Sequence, residues 1–372
     1  MSVKCQVIID AMECLAPKYL AEDWDNVGLL LGSPAQKIDK LLITLDVTDD
    51  VINQAVQDSI DMIITHHPIL FKAVNSIRTD LPQGQILVKL LKANIAVYAA
   101  HTNLDIATGG VNDILASKLN LQDAQPLAVS YTEKLCKLVV FVPNTHLEVV
   151  RRAISEAGVG HVGNYSHCTF SSNGIGTFLP LEGAQPFIGC NGVVEYVEET
   201  RLETIMPEKI SRRVLKAMLK VHPYEEVAYD LYHLINSGYS LGLGRVGKLI
   251  APMTLPEFIA QVKMVLGIEY VSVVGPLDKI VKKVAVCGGS GAGFINKAAF
   301  AGADVMITGD VKYHEAQNAL AVGIAVIDAG HFATEQPVVP ALAEYLTTCG
   351  TKGKWAVDIN VDTVNKDVFR VC

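Results

Sequence analysis

Histidines spaced at fixed intervals from carboxylates are the residues of this chain with the most chemistry in reach. Five of the ten histidines, His66, His67, His101, His314 and His331, lie just beyond stretches patterned as β-strands. In parallel α/β sheets the loops at the carboxyl ends of strands converge on one crevice, where ligands gather. Neutral imidazole nitrogens and carboxylate oxygens are donors that divalent transition metals take. His331 and Glu335 are four residues apart, which places both on one face of a helical turn, and His101 and Asp105 repeat that spacing. Adjacent His66 and His67 cannot both point one way from an extended strand, so they suit two neighbouring ions or a bend. Pro68 holds the residue before it extended. A lone histidine at a strand end is usually a hydrogen-bonded structural residue. The set His66, His67, Asp105, His331 and Glu335 together points to metal binding, with a carboxylate placed to bridge two ions.

Two glycine-rich stretches imitate nucleotide motifs. Gly242-Leu-Gly-Arg-Val-Gly-Lys248 has phosphate-loop spacing, but Leu249 replaces the Ser or Thr that would hold magnesium, and the following Leu-Ile-Ala-Pro252 reads as strand. Gly288-Gly-Ser-Gly-Ala-Gly293 follows a strand and precedes a helix, yet its spacing departs from the dinucleotide fingerprint. Its backbone amides suit either an anion or a plain tight turn.

The elements that must position these residues alternate. Strand patterns at 40–47, 61–65 and 95–100 are separated by helical patterns from Asp49 and over 85–93, which implies βαβ units and a mainly parallel sheet. The same alternation resumes from Leu241. It comprises a helix at 255–266, strands at 271–274, 284–286 and 305–308, a helix at 314–321, a strand at 324–327 and a helix after Glu335. Between them lies a strand at 137–142, a helix at 145–157 with Thr145 as N-cap, and strands at 165–172 and 174–179 around Ser-Asn-Gly. A strand-like 193–206, a helix from Pro207 to Lys220 and a strand at 226–234 complete this middle part. That order approximates the ferredoxin-like β-α-β-β-α-β unit. An internal echo brackets it: Asp61-Met-Ile-Ile-Thr-His-His67 resembles Asp304-Val-Met-Ile-Thr-Gly-Asp310, and Ile95–His101 resembles Ile324–His331 with one residue added. The expected fold is α/β, with two related α/β lobes facing a shared cleft and an inserted α+β domain.

Composition bounds the partners. The chain has 372 residues, 50% hydrophobic and 19% charged, with a formal charge of −8 and no basic run. It can fill large cores, and nucleic-acid or anionic-membrane binding is disfavoured because phosphate contacts need clustered cations. Residues 1–10 lack the pattern of a secretory signal, and no stretch reaches the ~18 apolar residues of a membrane span. The eight cysteines, Cys372 among them, form no C-x-x-C pair, which suits a reducing cytoplasm.

At Asp23-Trp-Asp-Asn-Val-Gly28, His66-His-Pro68, His101-Thr-Asn-Leu-Asp105, Gly309-Asp-Val-Lys-Tyr-His-Glu315 and Gly330-His-Phe-Ala-Thr-Glu335 the chain resembles the Nif-three-like family, also called the GTP cyclohydrolase type 2 homologues. The resemblance implies a first lobe at 1–127, an inserted PII/CutA-like domain at 128–236 carrying His222-Pro-Tyr-Glu-Glu226, and a second lobe at 237–372. It implies two divalent cations per subunit, zinc foremost and iron or manganese otherwise, held by His66, His67, Asp105, His331 and Glu335, with Glu335 bridging. His101, Asp310 and His314 would be neighbouring or proton-transfer groups, and Trp24-Asp25-Asn26 would line the same cavity. Ring-shaped hexamers and a metal-dependent hydrolase acting on a nucleotide or related small molecule are also implied. Nothing in these residues selects guanine. The rival expectation is a non-enzymatic metal-binding or regulatory ring protein whose insert senses an effector.

Overall fold

A computed structural model describes residues 2–72 and 74–370. The chain divides into two compact units, one made of the residues up to Tyr131 and from Leu241 onward, the other of Thr132–Ser240.

Among the described residues the larger unit contains two main sheets, beside a short antiparallel pair of Val3–Lys4 with Lys37–Ile38. The first has the order Asp358–Val361, Lys40–Thr44, Met62–Thr65, Ala96–Ala99, Gly28–Leu31. Its first four strands are parallel and Gly28–Leu31 closes an edge antiparallel. Both faces are buried, as parallel sheets require. Leu41, Ile43, Met62, Ile64 and Tyr98 pack beneath helices Cys5–Leu15 and Val338–Gly353. Leu42, Ile63 and Val97 point the other way, against Val51, Ile52 and Ala55 of helix Asp49–Gln57. That helix starts where Thr48 Oγ1 accepts from the Val51 amide, with Asp49 and Asp50 in the first turn, where negative charge complements the helix dipole.

In the second sheet Ile280–Val286, Val305–Thr308 and Ala325–Asp328 run parallel in that order, with Ser272–Val274 antiparallel at the edge. Val284, Val286, Val305 and Ile307 face helix Leu255–Leu266, whereas Ala285, Met306 and Val326 face Ile295, Ala298 and Ala319. The last strand, Asp358–Val361, joins the first sheet beside Lys40–Thr44, so segment 237–372 contributes to both sheets. Sequence patterning did not reveal that strand, because its side chains are only half-buried.

The sequence echo has a structural counterpart. Asp61 Oδ2 accepts from the Asp39 and Lys40 amides at 2.8 and 2.9 Å, and Asp304 Oδ2 accepts from the Lys282 and Lys283 amides at the same distances. Lys40 Nζ donates to the Asp58 carbonyl and Lys283 Nζ to the Ala301 carbonyl.

The smaller unit follows the chain order strand, helix, strand, strand, helix, strand. Its sheet order is residues 229–240 of strand Tyr229–Thr254, residues 132–143 of strand Gln122–Pro143, Glu195–Pro207, Thr169–Phe178. Helices Leu147–Glu156 and Ser211–Val221 cover one face through Val150, Ile154, Val214 and Met218, which meet Leu138, Val140, Leu202 and Met206. Two expectations change here. Residues 165–179 do not form two strands around a turn. Thr169–Phe178 is one strand, paired without a break from Thr169 opposite Thr204 to Phe178 opposite Glu195, and Thr200 Oγ1 bonds Asn173 Oδ1 where the turn was expected. Thr145 is no N-cap: it lies in the short 3-10 turn Asn144–His146, and its hydroxyl meets His146 Nδ1.

Candidate metal centre

Strand Met62–Thr65 delivers the paired histidines. Thr65 Oγ1 donates to the Leu45 carbonyl and lies 3.1 Å from the His67 carbonyl, so the chain beyond the strand is held against its neighbour. His66 is fully buried, its Nδ1 2.8 Å from the Ala100 carbonyl oxygen. A carbonyl can only accept, so Nδ1 carries hydrogen and Nε2 of the neutral ring presents a lone pair. His67 Nδ1 meets Asp46 Oδ1 at 2.8 Å, and His331 Nδ1 meets Asp310 Oδ2 at 2.7 Å. In all three rings Nε2 is therefore the atom turned to the centre. A partner on the far nitrogen is how metal-ligating imidazoles are oriented.

These nitrogens converge on one carboxylate. His66 Nε2 is 3.7 Å from Glu335 Oε1, whereas His67 Nε2 and His331 Nε2 are 3.0 and 3.1 Å from Glu335 Oε2. The adjacent histidines thus address the two oxygens of one carboxyl group. His67 Nε2 and His331 Nε2 stand only 3.4 Å apart. Asp105, on the short helix Thr102–Ile106, places Oδ1 3.7 Å from His66 Nε2. Helix His331–Glu335 is a single turn, which carries the four-residue spacing onto one face. Gly289 and Gly309 make room for it. A Cβ at Gly289, whose φ is +60°, would lie 2.1 Å from Glu335 Oε1, and one at Gly309 would lie 2.5 Å from the His331 amide nitrogen.

Among the described residues four buried polar side-chain atoms lack a hydrogen-bond partner, and three are here: His66 Nε2, Asp105 Oδ1 and Glu335 Oε2. Lone pairs facing lone pairs in a buried site are costly unless a positive charge joins them. Protons on the imidazoles are one source. Burial opposes a charged His67, yet Asp46 and Glu335 outweigh it and raise its pKa to about 10. Glu335, against burial and with Asp310, raises His331 to about 9. Burial likewise opposes a charged His66, and Asp105 and Glu335 shift its pKa upward. Burial pushes the Asp105 carboxyl up, whereas the His66, His331 and His67 rings hold Glu335 well below the ordinary range despite its burial. Divalent cations are the other source, and the donor set suits them: His66 with Asp105 and Glu335, and His67 with His331 and Glu335, form groups whose ligand atoms lie within 4.8 Å of one another.

His66, His67 and His101 form a third such group. His101 Nδ1 lies 2.9 Å from Asp25 Oδ1, and Asp25 Oδ2 accepts from the Thr102 amide and hydroxyl. These bonds overcome burial and draw the Asp25 pKa to about 2. Trp24 meets the His101 ring edge at 5.9 Å though it is largely exposed, and Asn26 Nδ2 donates to the Leu70 carbonyl. Asp310 touches the centre through His331. His314 lies on the exposed surface of helix Tyr313–Val322, its Nδ1 3.1 Å from Gln317 Oε1. A cavity of about 830 Å³ opens beside the centre, lined by His67, Asp310 and His331 and by apolar Ile69, Phe71 and Phe332.

Sequence reasoning missed Asp46 and the Ala100 carbonyl, which set two of the three rings. Asp46 had a readable signal, as an acid at the carboxyl end of a parallel strand; a main-chain carbonyl has none. The 288–293 loop is a turn in which three amides are engaged: Gly288 donates to Asn112 Oδ1, Gly289 to Thr334 Oγ1 and Gly291 to Thr308 Oγ1. Stretch 242–248 lies within strand Tyr229–Thr254, where buried Arg245 pairs with Asp113 and donates to the Gly242 and Gly244 carbonyls.

The fold and site define a mixed α/β protein with a buried histidine–carboxylate cluster suited to cations. The chain belongs to the Duf34/NIF3 (NGG1p interacting factor 3) family, whose model matches residues 3–367. It is 47% identical over 368 residues to a Bacillus subtilis protein named GTP cyclohydrolase 1 type 2 homolog, covering 99% of this chain and 98% of that one. The crystal structure of a Bacillus cereus protein related to NIF3 superposes with a TM-score of 0.92 at 46% identity, covering 100% of this chain and 99% of that one. A Staphylococcus aureus protein superposes with a TM-score of 0.82 at 29% identity, covering 100% and 99%. No helix among the described residues is long and apolar enough to cross a membrane.

Proposed function

We propose that this protein is a dinuclear metal-dependent hydrolase acting on a nucleotide or related small molecule. The observation that carries this reading is the sharing of Glu335 between two donor groups, His66 with Asp105 and His67 with His331. When bound, a pair of divalent cations supplies Lewis acidity and lowers the pKa of water toward neutrality. Zinc, iron or manganese all suit mixed imidazole and carboxylate donors. The chain's own residues do the rest. Ala100, Asp46 and Asp310 fix the three rings, and Asp310 acts through His331 as a positioning residue. His101, steadied by Asp25, would hold and pass a proton at Nε2 beside His66 and His67. His314 lies out on the exposed helix and belongs to none of the three donor groups. The adjoining cavity has the size of small-molecule sites, with apolar Ile69, Phe71 and Phe332 beside charged Asp46, Asp310 and Lys366 in its lining.

The relatives' name extends to this chain only as a candidate reaction, the opening of a purine ring. Cytoplasmic location, a hexameric ring and a ferredoxin-like, PII/CutA-like character for the smaller unit belong to the same proposal. The last draws support from its strand–helix–strand–strand–helix–strand order. A second reading, a non-enzymatic metal-binding protein with an effector-sensing insert, is favoured by a separate cavity in that unit. Metal content per subunit, measured with turnover of GTP, other nucleotides and simple esters or amides, decides between them. We expect two cations per subunit and turnover abolished in Glu335→Gln. Two cations without turnover of any substrate favour the second reading, and turnover that survives Glu335→Gln sinks the first.

A further inference from the structure

The Thr132–Ser240 unit carries a cavity of about 420 Å³ that the metal chemistry does not use. The motif His222-Pro-Tyr-Glu-Glu226 builds one side of it. The His222 amide closes helix Ser211–Val221 by donating to the Met218 carbonyl. Its buried ring is fixed at both nitrogens: Nε2 lies 3.0 Å from the Phe141 carbonyl oxygen, and the Tyr224 amide donates to Nδ1 at 3.2 Å. A carbonyl accepts and an amide donates, so the ring is neutral with its hydrogen on Nε2. Burial favours the same state by drawing the His222 pKa below its ordinary value. His222 thereby sets the chain that presents Tyr224.

The Tyr224 hydroxyl donates to Glu199 Oε1 at 2.7 Å, and Glu199 is only 8% exposed. Glu199 Oε2 rests over Gly176, where a Cβ would come within 2.2 Å of it. The rings of Phe178 and Phe187 stand 6.0 and 6.4 Å from that of Tyr224, inclined by 62° and 50°. These are edge-to-face and tilted contacts of packed aromatic rings, and all three rings line the cavity. Glu225 and Glu226 add two carboxylates at the exposed margin, and no lysine or arginine is among the lining residues. Aromatic faces attract cations through their quadrupole, and a desolvated carboxylate attracts them through its charge. Phosphates and carboxylates would meet repulsion from three acidic side chains.

We infer that this cavity binds a small organic ammonium ion, with Phe178, Phe187 and Tyr224 as its cage and Glu199 as its buried counter-charge. This goes beyond the hydrolase reading and does not depend on it. Calorimetric titration of the full-length protein with choline and with putrescine tests it, beside the uncharged analogue of choline in which carbon replaces the nitrogen. At least one ammonium probe should bind, about tenfold or more tighter than the neutral analogue. Phe187→Ala and Glu199→Gln should each weaken binding by about tenfold. Phe187 is 52% exposed, so its removal leaves the core intact and the test readable even if Glu199→Gln disturbs the fold. Metal-stripped protein should bind the probe equally well. Failure of both ammonium probes, equal binding of the neutral analogue, indifference to both substitutions, or loss of binding on metal removal would each overturn the inference.

Discussion

Strands Met62–Thr65 and Val305–Thr308 are built alike up to their carboxyl ends. Asp61 and Asp304 bond equivalent pairs of amides, and Lys40 and Lys283 reach equivalent carbonyls. Beyond the strands the halves part. His66 follows Thr65, whereas Gly309 follows Thr308, because the His331 backbone passes too close there for any side chain. His67 is a donor oriented by Asp46; its counterpart Asp310 is an orienter whose donor is His331. Asp105 stands against His66, whereas Glu335, one methylene longer, reaches His66, His67 and His331. A repeated scaffold fixes where side chains leave the sheet. Single substitutions at those exits then divide the work.

Removing the shared residue should break this division most severely. Glu335→Gln is expected to empty both donor groups, whereas Asp105→Asn should leave the His67–His331 group loaded; metal-to-protein ratios after dialysis distinguish the two. Equal ratios for the variants would refute the sharing. Next in size are the two orienting carboxylates. Asp46→Asn and Asp310→Asn should each weaken metal affinity by about 10–100-fold, and by similar amounts, since both carboxylates are 42% exposed. A difference of several orders of magnitude in competition with a chelator would end the equivalence.

Gly309→Ala should cost roughly 1–3 kcal/mol of stability through crowding and lower metal affinity through His331, with His66 undisturbed. Chemical denaturation and metal titration read both. In metal-free protein the raised pKa values of His67 and His331 carry a sign. Their contribution to stability is full below about pH 6.5 and is lost as pH climbs through about 9 and about 10. Metal loading should flatten that loss in thermal melts, because cations replace the protons. The smallest effect lies in the shared scaffold: Asp61→Asn and Asp304→Asn should each cost about 1 kcal/mol and shift the melting temperature alike.

Much of this was legible in residue order. Buried parallel strands announce themselves as Ile- and Val-rich runs, and Val305–Thr308 falls where the pattern placed it. The spacing of His331 and Glu335 gave the helical turn. Edge elements escaped, Gly28–Leu31 and Asp358–Val361 among them, because half-buried strands lack a clear period. The continuous strand Thr169–Phe178 escaped for a related reason. Its Ser-Asn-Gly carries turn chemistry, which pairing with Glu195–Pro207 overrides.

The sequence by itself determined which side chains could hold a cation and which strands would carry them, since donor type and hydrophobic period are local properties. Tertiary structure alone decided that His66 and His67 meet opposite oxygens of one carboxylate. It also decided that Asp46 and a main-chain carbonyl orient their rings, and that Glu199 is buried among aromatic faces. Those facts depend on contacts between residues far apart in the chain, and no local spacing encodes a distance across a fold.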